Sequence, residues 1–446
     1  MVPNFIMSKK FIPACLIAAA LTPLTVHSVE LDVYKFAELG VAGSDNQQFG
    51  GNEEFIATVK PSVELSFSGN RFDSKVIAEV EFFRFNEEDF DQIDPRLHLS
   101  TSGTLVDNLV YLNSSLDIAK SLPEDDFFDL VEDSETQSNF RFNPFIARQI
   151  GRFADLFIGY GHRSLDNEID GTIDSQQNTL SFSLARNPRF GGFIWGVGGN
   201  IDRDDTNGVN IRYDSVYGSL GATIDDIWFF QGLGGVETNN FSELTGGDDR
   251  TTFLEASLRW NPSERTSLKV GYSDRFFAEG PVLEFSHRLE NSTYSARWTR
   301  SITSSEVDLG VISTFNDSIS TTTLPGSSVD LIGADGTSDR SVPFVNEQIT
   351  LGYKVAGRRS DLIVDLLYSL QNELLGESRG EDLIGRIIFD RQLSALTTVR
   401  LQYEHRAAID NADDTSNENR VGVKFIYNFD RKERAEIIED KAIFGQ

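Results

Sequence analysis

Residues Arg420–Phe429 read R-V-G-V-K-F-I-Y-N-F. Val421, Val423, Phe425, Tyr427 and Phe429 share one parity. Gly422, Lys424 and Asn428 share the other, with Ile426 its one apolar exception. Successive side chains of a strand point to opposite faces, so this alternation predicts a β-strand with one apolar and one polar face. The pattern recurs along the chain. Phe55, Ala57, Val59, Val63, Leu65 and Phe67 alternate with Thr58, Lys60, Ser62, Glu64 and Ser66; Leu254, Ala256, Leu258 and Trp260 alternate with Glu255, Ser257 and Arg259; Leu362, Val364, Leu366 and Tyr368 alternate with Asp361, Asp365 and Ser369.

Several of the polar faces carry full charges. A dry core excludes such groups, whereas a water-filled lumen accepts them. Short connections at Ser68–Arg71, Gln149–Arg152, Asn187–Gly192, Thr223–Asp226, Asn261–Arg265, Ala356–Ser360 and Arg391–Ala395 alternate with longer polar ones. The long set is Leu165–Ser175, Asp202–Asn210, Asn239–Arg250, Asn372–Glu381 and Ala407–Asn419. Turns this short join antiparallel neighbours. The expected fold is therefore all-β: a transmembrane antiparallel up-and-down β-barrel of about 18–20 strands, an even count placing both termini in the periplasm. Two stretches interrupt the rhythm. A membrane strand over Leu105–Ile118 breaks the short/long order, so residues 86–135 read as one long external excursion or plug. Asn316–Asn346 is too long for one turn and has room for a strand around Val329–Ile332.

Lys9 and Lys10 precede the apolar run Phe11–Leu21, and Val26-His27-Ser28 offers small residues for cleavage. This layout predicts a secretory signal peptide over residues 1–28, leaving the barrel to residues 29–429. The only cysteine, Cys15, falls within the signal, so the mature chain is expected to lack disulfide and thiol chemistry. The formal charge of −29 becomes more negative once the two lysines leave. Such an exterior disfavours nucleic acid and other polyanions as partners. A neutral or modestly charged glycan suits it better. No later apolar run is long enough for a membrane helix. Residues 430–446 read as a charged periplasmic tail.

Two resemblances sharpen these expectations. Arg420, Gly422, Phe425 and Tyr427, followed by Phe429, resemble the C-terminal signal by which outer-membrane β-barrels are recognised for insertion, although here a tail follows it. The segment Asn261–Ile302 contains N-P-S-E-R-T-S-L, then R-F-F at Arg275–Phe277, L-E-F-S-H-R at Leu283–Arg288, and Y-S-A-R-W-T-R-S-I. It resembles the outer-membrane β-barrel family associated with the PEP-CTERM/exopolysaccharide system of Gram-negative bacteria. Ser44-Asp45-Asn46, Pro61–Arg71, Asn143–Gly151 and Gly357–Ser360 extend that likeness. Where the family often has Gly after R-F-F, this chain has Ala278 and Glu279. The resemblance implies an outer-membrane location, a place beside polysaccharide export, and contact with membrane lipid and the barrel-assembly machinery.

Candidate sites follow from the polar parity. Glu255, Arg259, Lys269, Arg275, Glu284, Arg288, Arg297, Glu306, Asp308, Arg386, Arg400 and Glu404 are expected to project inward and line a pore, because rings of charge tune permeation. A salt-bridge network that only stiffens the wall is the competing role. His98, His162, His287 and His405 lack metal-ligand spacing, and His287 and His405 fall on the lipid parity. The acidic runs Glu87-Glu88-Asp89, Glu124-Asp125-Asp126, Asp202-Arg203-Asp204-Asp205, Asp248-Asp249 and Asp410–Asp414 read as solvated loops without defined calcium-loop spacing. Gly198-Gly199 and Gly234-Gly235 precede no helix pattern, so they point to close packing and not to phosphate binding. Trp195, Trp228, Trp260 and Trp298 suit an interfacial girdle. No catalytic constellation, cofactor motif or metal site emerges. The expected function is a passive porin or channel associated with exopolysaccharide export. The alternative is a structural or adhesive barrel with a blocked lumen, binding envelope or matrix partners through its loops.

Overall fold

The computed structural model describes residues 30–44, 54–85, 92–120, 136–151, 153–167, 175–186, 192–206, 209–225, 227–240, 250–275, 278–304, 307–311, 343–373, 379–409 and 415–429. Among them every regular element is a strand: β1 (Glu30–Ser44), β2 (Glu54–Ser68), β3 (Phe72–Phe85), β4 (Gln92–Val106), β5 (Val110–Lys120), β6 (Thr136–Ile150), β7 (Ala154–Asn167), β8 (Ser175–Arg186), β9 (Phe193–Thr206), β10 (Val209–Ile224), β11 (Trp228–Asn239), β12 (Arg250–Ser263), β13 (Thr266–Arg275), β14 (Ala278–Arg288), β15 (Ser292–Ser304), β16 (Val307–Val311), β17 (Pro343–Ala356), β18 (Ser360–Glu373), β19 (Arg379–Gln392), β20 (Thr397–Ile409) and β21 (Thr415–Asn428).

Apart from β16, each strand pairs antiparallel with the next around the ring, β15 pairs directly with β17, and β21 returns to β1 from Phe36↔Asn428 to Ser44↔Arg420. That last ladder closes a ring of twenty strands, and the ring itself has no free edge. The short β16 stands outside the ring, paired with Ser301–Ser304 of β15. The tight turns 69–71, 107–109, 264–265 and 357–359 share one end of the barrel, and the opposite strand ends make up the loop end.

The two faces differ in both chemistry and crowding. Leu31, Leu39, Phe55, Val216, Leu220, Leu254 and Val421 all expose a large part of their side chains on one face. Glu64, Asp94, Glu237, Glu404 and Arg420 are buried on the other. Closing a sheet crowds the concave side and splays the convex side, so the polar face is the lumen and the apolar face is the exterior. No helix among the described residues is long and apolar enough to cross a membrane. An exterior of exposed aliphatic and aromatic side chains is the surface that lipid solvates and water does not.

Glycine-rich strands β9–β11 let rings lie flat against the wall. A Cβ on Gly198 would meet the Tyr217 ring at 2.8 Å, and one on Gly235 would meet Phe253 at 2.7 Å and the Val216 carbonyl at 2.3 Å. Backbone cannot yield as a flexible side chain can. Gly235→Ala is expected to cost about 1–3 kcal/mol by overpacking, read as a lower urea midpoint of the refolded barrel. Gly232→Ala, with nothing within 4 Å of the added Cβ, should leave that midpoint unchanged.

Several expectations require correction. Residues 86–135 are not one external excursion or plug, because β4 and β5 lie within them and pair in the ring with β3 and β6. Their tight turn is Asp107-Asn108-Leu109, with Asn108 at φ 57°, a left-handed conformation that Asn tolerates. Reading Leu105–Ile118 as one strand ran across this turn and made the short/long order seem broken. Residues 86–91 and 121–135 lie outside the described residues. Asp202-Arg203-Asp204-Asp205 is not a loop but the end of β9. The expected strand near Val329–Ile332, the other acidic runs, the signal segment 1–28 and the tail 430–446 also lie outside the described residues.

Candidate functional site: the lumen

Cross-strand register decides which lumenal charges meet. One wall, running from β18 through the β21–β1 closure to β4, is an ion-pair lattice. Arg386 contacts Asp365 at 3.4 Å, Arg400 contacts Asp390 at 2.8 Å, and Arg406 contacts Asp382 at 3.8 Å. Arg420 Nη2 donates to Glu418 Oε2 at 2.7 Å, and Arg420 Nη1 lies 3.5 Å from Glu404 Oε1. Across the closure, Lys60 contacts Glu79 at 3.5 Å, Lys75 contacts Glu64 at 3.4 Å, and Arg96 contacts Glu81 at 3.7 Å. His98 pairs with Asp117 on the same face. Nearly every charge here has a partner of opposite sign, as burial in a crowded wall demands.

The wall from β12 to β17 is different. Register sets Arg259 opposite Lys269, Lys269 opposite Glu284, and Glu284 opposite Arg297. Lys269 contacts Glu284 at 3.6 Å, and Arg275 contacts Glu255 at 2.7 Å. Arg288 and Lys354 share this inner face through their register with Thr293. Cations thus outnumber carboxylates on this wall. Toward the loop end, Arg275 lies over the Phe253 ring at 4.5 Å and its Nη1 donates to Tyr213 Oη at 3.4 Å. Tyr213 in turn donates to Glu237 at 2.8 Å. Tyr213 and Glu237 are fully buried, packed against the glycine-rich wall.

A third region lies on β5–β7. Arg141 and Arg163 are direct cross-strand partners, and Arg163 Nε donates to Asn139 at 3.2 Å. Toward the tight-turn end, Tyr111 stacks on Phe145 with centroids 5.2 Å apart, and Phe145 packs on Phe157 at 5.7 Å.

Of the inward-facing candidates read from sequence, Glu255, Arg259, Lys269, Arg275, Glu284, Arg288, Arg297, Arg386, Arg400 and Glu404 lie on the inner face, divided between the paired and basic walls. Glu306 lies outside the described residues, and Asp308 falls on β16, off the ring. Of the terminal-strand set, Arg420 and Gly422 face inward, while Phe425, Tyr427 and Phe429 are exposed outside. Lys60, Arg96, Arg141, Arg163 and Lys424 were not singled out from sequence. Lys60 and Lys424 lie on the polar face of strands whose alternation is regular, so parity alone could have found them; Arg141 was obscured because Phe142 and Phe145 put aromatics on both faces of β6.

The exterior carries two polar-edged belts. Near the loop end, Tyr160 donates to Asn178 at 2.8 Å, Tyr403 to Asn419 at 3.0 Å, and Trp298 to Glu347 at 2.8 Å; Tyr272 donates to Glu279. His162 and His405 join the first two pairs through their Asn partners. Near the tight-turn end, Trp228 stacks on Trp260 and Tyr427 packs edge-on to Phe429. His287 lies here beside Tyr294, bonded to Thr266. Amphipathic rings settle where one edge is wet and the other apolar. About eight residues of β21 separate Tyr427 from Asn419, which at about 3.3 Å rise and about 40° tilt is about 20 Å, close to the apolar band of such barrels.

A closed antiparallel ring, an apolar belt between aromatic girdles and a charged interior define a membrane-spanning β-barrel with a polar lumen. No protein-family model and no curated protein matches the chain. Among solved structures it is similar to the siderophore receptor PirA from Pseudomonas aeruginosa (10% identity, 89% of this chain and 80% of that one, TM-score 0.43). It is also similar to PirA from Acinetobacter baumannii (9%, 91% and 81%, TM-score 0.45) and to OpdK from Pseudomonas aeruginosa, solved with vanillate (12%, 89% and 99%, TM-score 0.41). The assignment of class rests on this chain's own register and surface.

Proposed function

We propose that this chain is a passive outer-membrane channel, with its tight turns in the periplasm and its loops outside. Its supporting observation is the pairing of a closed ring and an apolar exterior with a charged interior. The association with exopolysaccharide export rests on the resemblance of Asn261–Ile302, and with it the expectation that assembly machinery and export components are partners. The reading is non-enzymatic: among the described residues His98, His162, His287 and His405 are dispersed over both faces, and each is engaged by a neighbouring polar side chain.

The full burial of Tyr213 and Glu237 on the inner face favours the rival reading, a structural or adhesive barrel whose lumen is filled. Single-channel recording of refolded residues 29–446 in a planar bilayer separates the two. Discrete openings are the expected result. Silence from inserted protein, with insertion verified by protease protection, would leave the adhesive barrel as the better reading.

A further inference from the structure

We propose that the exterior holds a binding site for a phosphate-bearing lipid headgroup, built from Arg203, Arg212 and Arg250 at the loop end of β9–β12. This rests on the outer-membrane reading above and adds the lipid that covers one stretch of the outer rim.

The run Asp202-Arg203-Asp204-Asp205 divides by parity. Asp202 and Asp204 are buried on the inner face, whereas Arg203 and Asp205 point outward. Register sets Arg203 directly beside Arg212. Asp214, next along the outer face of β10, lies beside Thr238, which pairs in turn with Arg250. Arg212 and Asp214 share the parity of Val216, and Arg250 shares that of Leu254, both exposed members of the apolar exterior. The patch adjoins the loop-end belt: Arg203 is the register partner of Asn178, which accepts the Tyr160 hydroxyl.

The arginines outnumber the acids around them. Arg203 Nη1 and Arg212 Nε both donate to the one Asp214 carboxylate, the latter at 2.7 Å. The Arg203 and Arg212 side chains are 41% and 55% exposed against 19% for Asp214, so the acid is covered while the guanidinium groups stay reachable from outside. Arg250 is exposed and, among the described residues, makes no ion pair or hydrogen bond. With Asp205 counted, three cations face two carboxylates. Arg300, outward near the loop end of β15, is instead matched by Glu347 at 3.0 Å. Adjacent like charges on neighbouring strands are unfavourable, and a cation on a barrel's lipid face is tolerated only toward the interface. A phosphate at that level relieves both costs, and guanidinium forks fit its oxygens bidentately. Asn240 fixes the rim: its Oδ1 accepts the Arg212 backbone N–H at 2.8 Å and its Nδ2 donates to the Asn210 carbonyl at 2.7 Å. A free phosphate ion would satisfy the arginines but gain nothing from the apolar face at Val216 and Leu254; a lipid uses both.

Native mass spectrometry of the refolded protein in detergent, titrated with diphosphoryl lipid A, reads the site. Adducts should form about tenfold more readily with diphosphoryl lipid A than with its dephosphorylated form, and inorganic phosphate should not displace them. Arg203→Gln with Arg250→Gln should weaken binding about tenfold while leaving Asp214 its Arg212 partner. Arg84→Gln, at an exposed outward arginine near the loop end of β3, should leave binding unchanged. Unheated electrophoretic mobility establishes that the variants fold, and the comparison of the two lipid forms needs no variant. Equal binding of both forms, displacement by inorganic phosphate, unchanged binding in the double variant, or an equal loss in Arg84→Gln would overturn the site. Insertion of the wild type into phosphatidylcholine vesicles, checked by protease protection, separates those outcomes from a failure of the membrane reading. Insertion without a phosphate preference overturns the site alone; no insertion and no lipid adduct overturns both.

Discussion

Val216→Arg is expected to prevent stable insertion or to destabilise the inserted barrel by about 2–4 kcal/mol, the cost of a cationic side chain on a barrel's lipid face near the bilayer midplane. Val216 lies midway along β10, faces outward and exposes 62% of its surface. In water the same change would be nearly neutral, because arginine on an exposed strand face is well solvated. The substitution therefore tests the exterior directly. Urea titration of the barrel folded into vesicles measures the loss. An unchanged midpoint in Val216→Arg, and also in the neighbouring outward variant Leu220→Arg, would show that this face meets water and that the membrane assignment is wrong. Leu220 is 61% exposed on the same strand and face.

Arg420→Met should be at least as damaging, for the opposite reason. Arg420 is 4% exposed and stands between Glu404 and Glu418 on the inner face next to the closing ladder. Methionine keeps much of the volume but leaves two carboxylates crowded together without their counter-charge. Removing one partner of a buried ionic group typically costs about 3–5 kcal/mol. The same group replaced entirely by neutral residues often loses little. The triple variant Arg420→Met, Glu404→Gln, Glu418→Gln should therefore recover most of the stability lost by the single one. If the single variant unfolds at the wild-type urea midpoint, the paired wall is not a determinant of stability.

Both predictions depend on strand parity, which is local. Covalent geometry forces alternate side chains of a strand to opposite faces, so Val421, Val423 and Phe425 could be assigned to one face, and Arg400, Gln402 and Glu404 to another, without knowledge of any neighbour. The tight turns at 69–71, 264–265 and 357–359 were legible for a similar reason: a few turn-forming residues interrupt an otherwise unbroken alternation. The turn at 107–109 was missed because Asp107-Asn108-Leu109 lacks glycine and proline and sits between modestly polar strands. One overlooked turn turned a pair of barrel strands into an external excursion.

What the sequence by itself determined is the all-β class, the two-faced character of the strands and the inward parity of most lumenal charges. All three follow from the period of two built into extended backbone. Only the tertiary structure decided that twenty strands close through β21 and β1, that Arg420 meets Glu404 and Glu418, and that one wall is balanced while another is basic. Those outcomes depend on which residue of one strand lies beside which residue of the next. Register is a non-local property, and a one-residue slip would move each strand's inner residues to its outer face. Total charge pointed to an acidic molecule, but how that charge is partitioned between exterior, loops and lumen becomes visible only when the ring is closed.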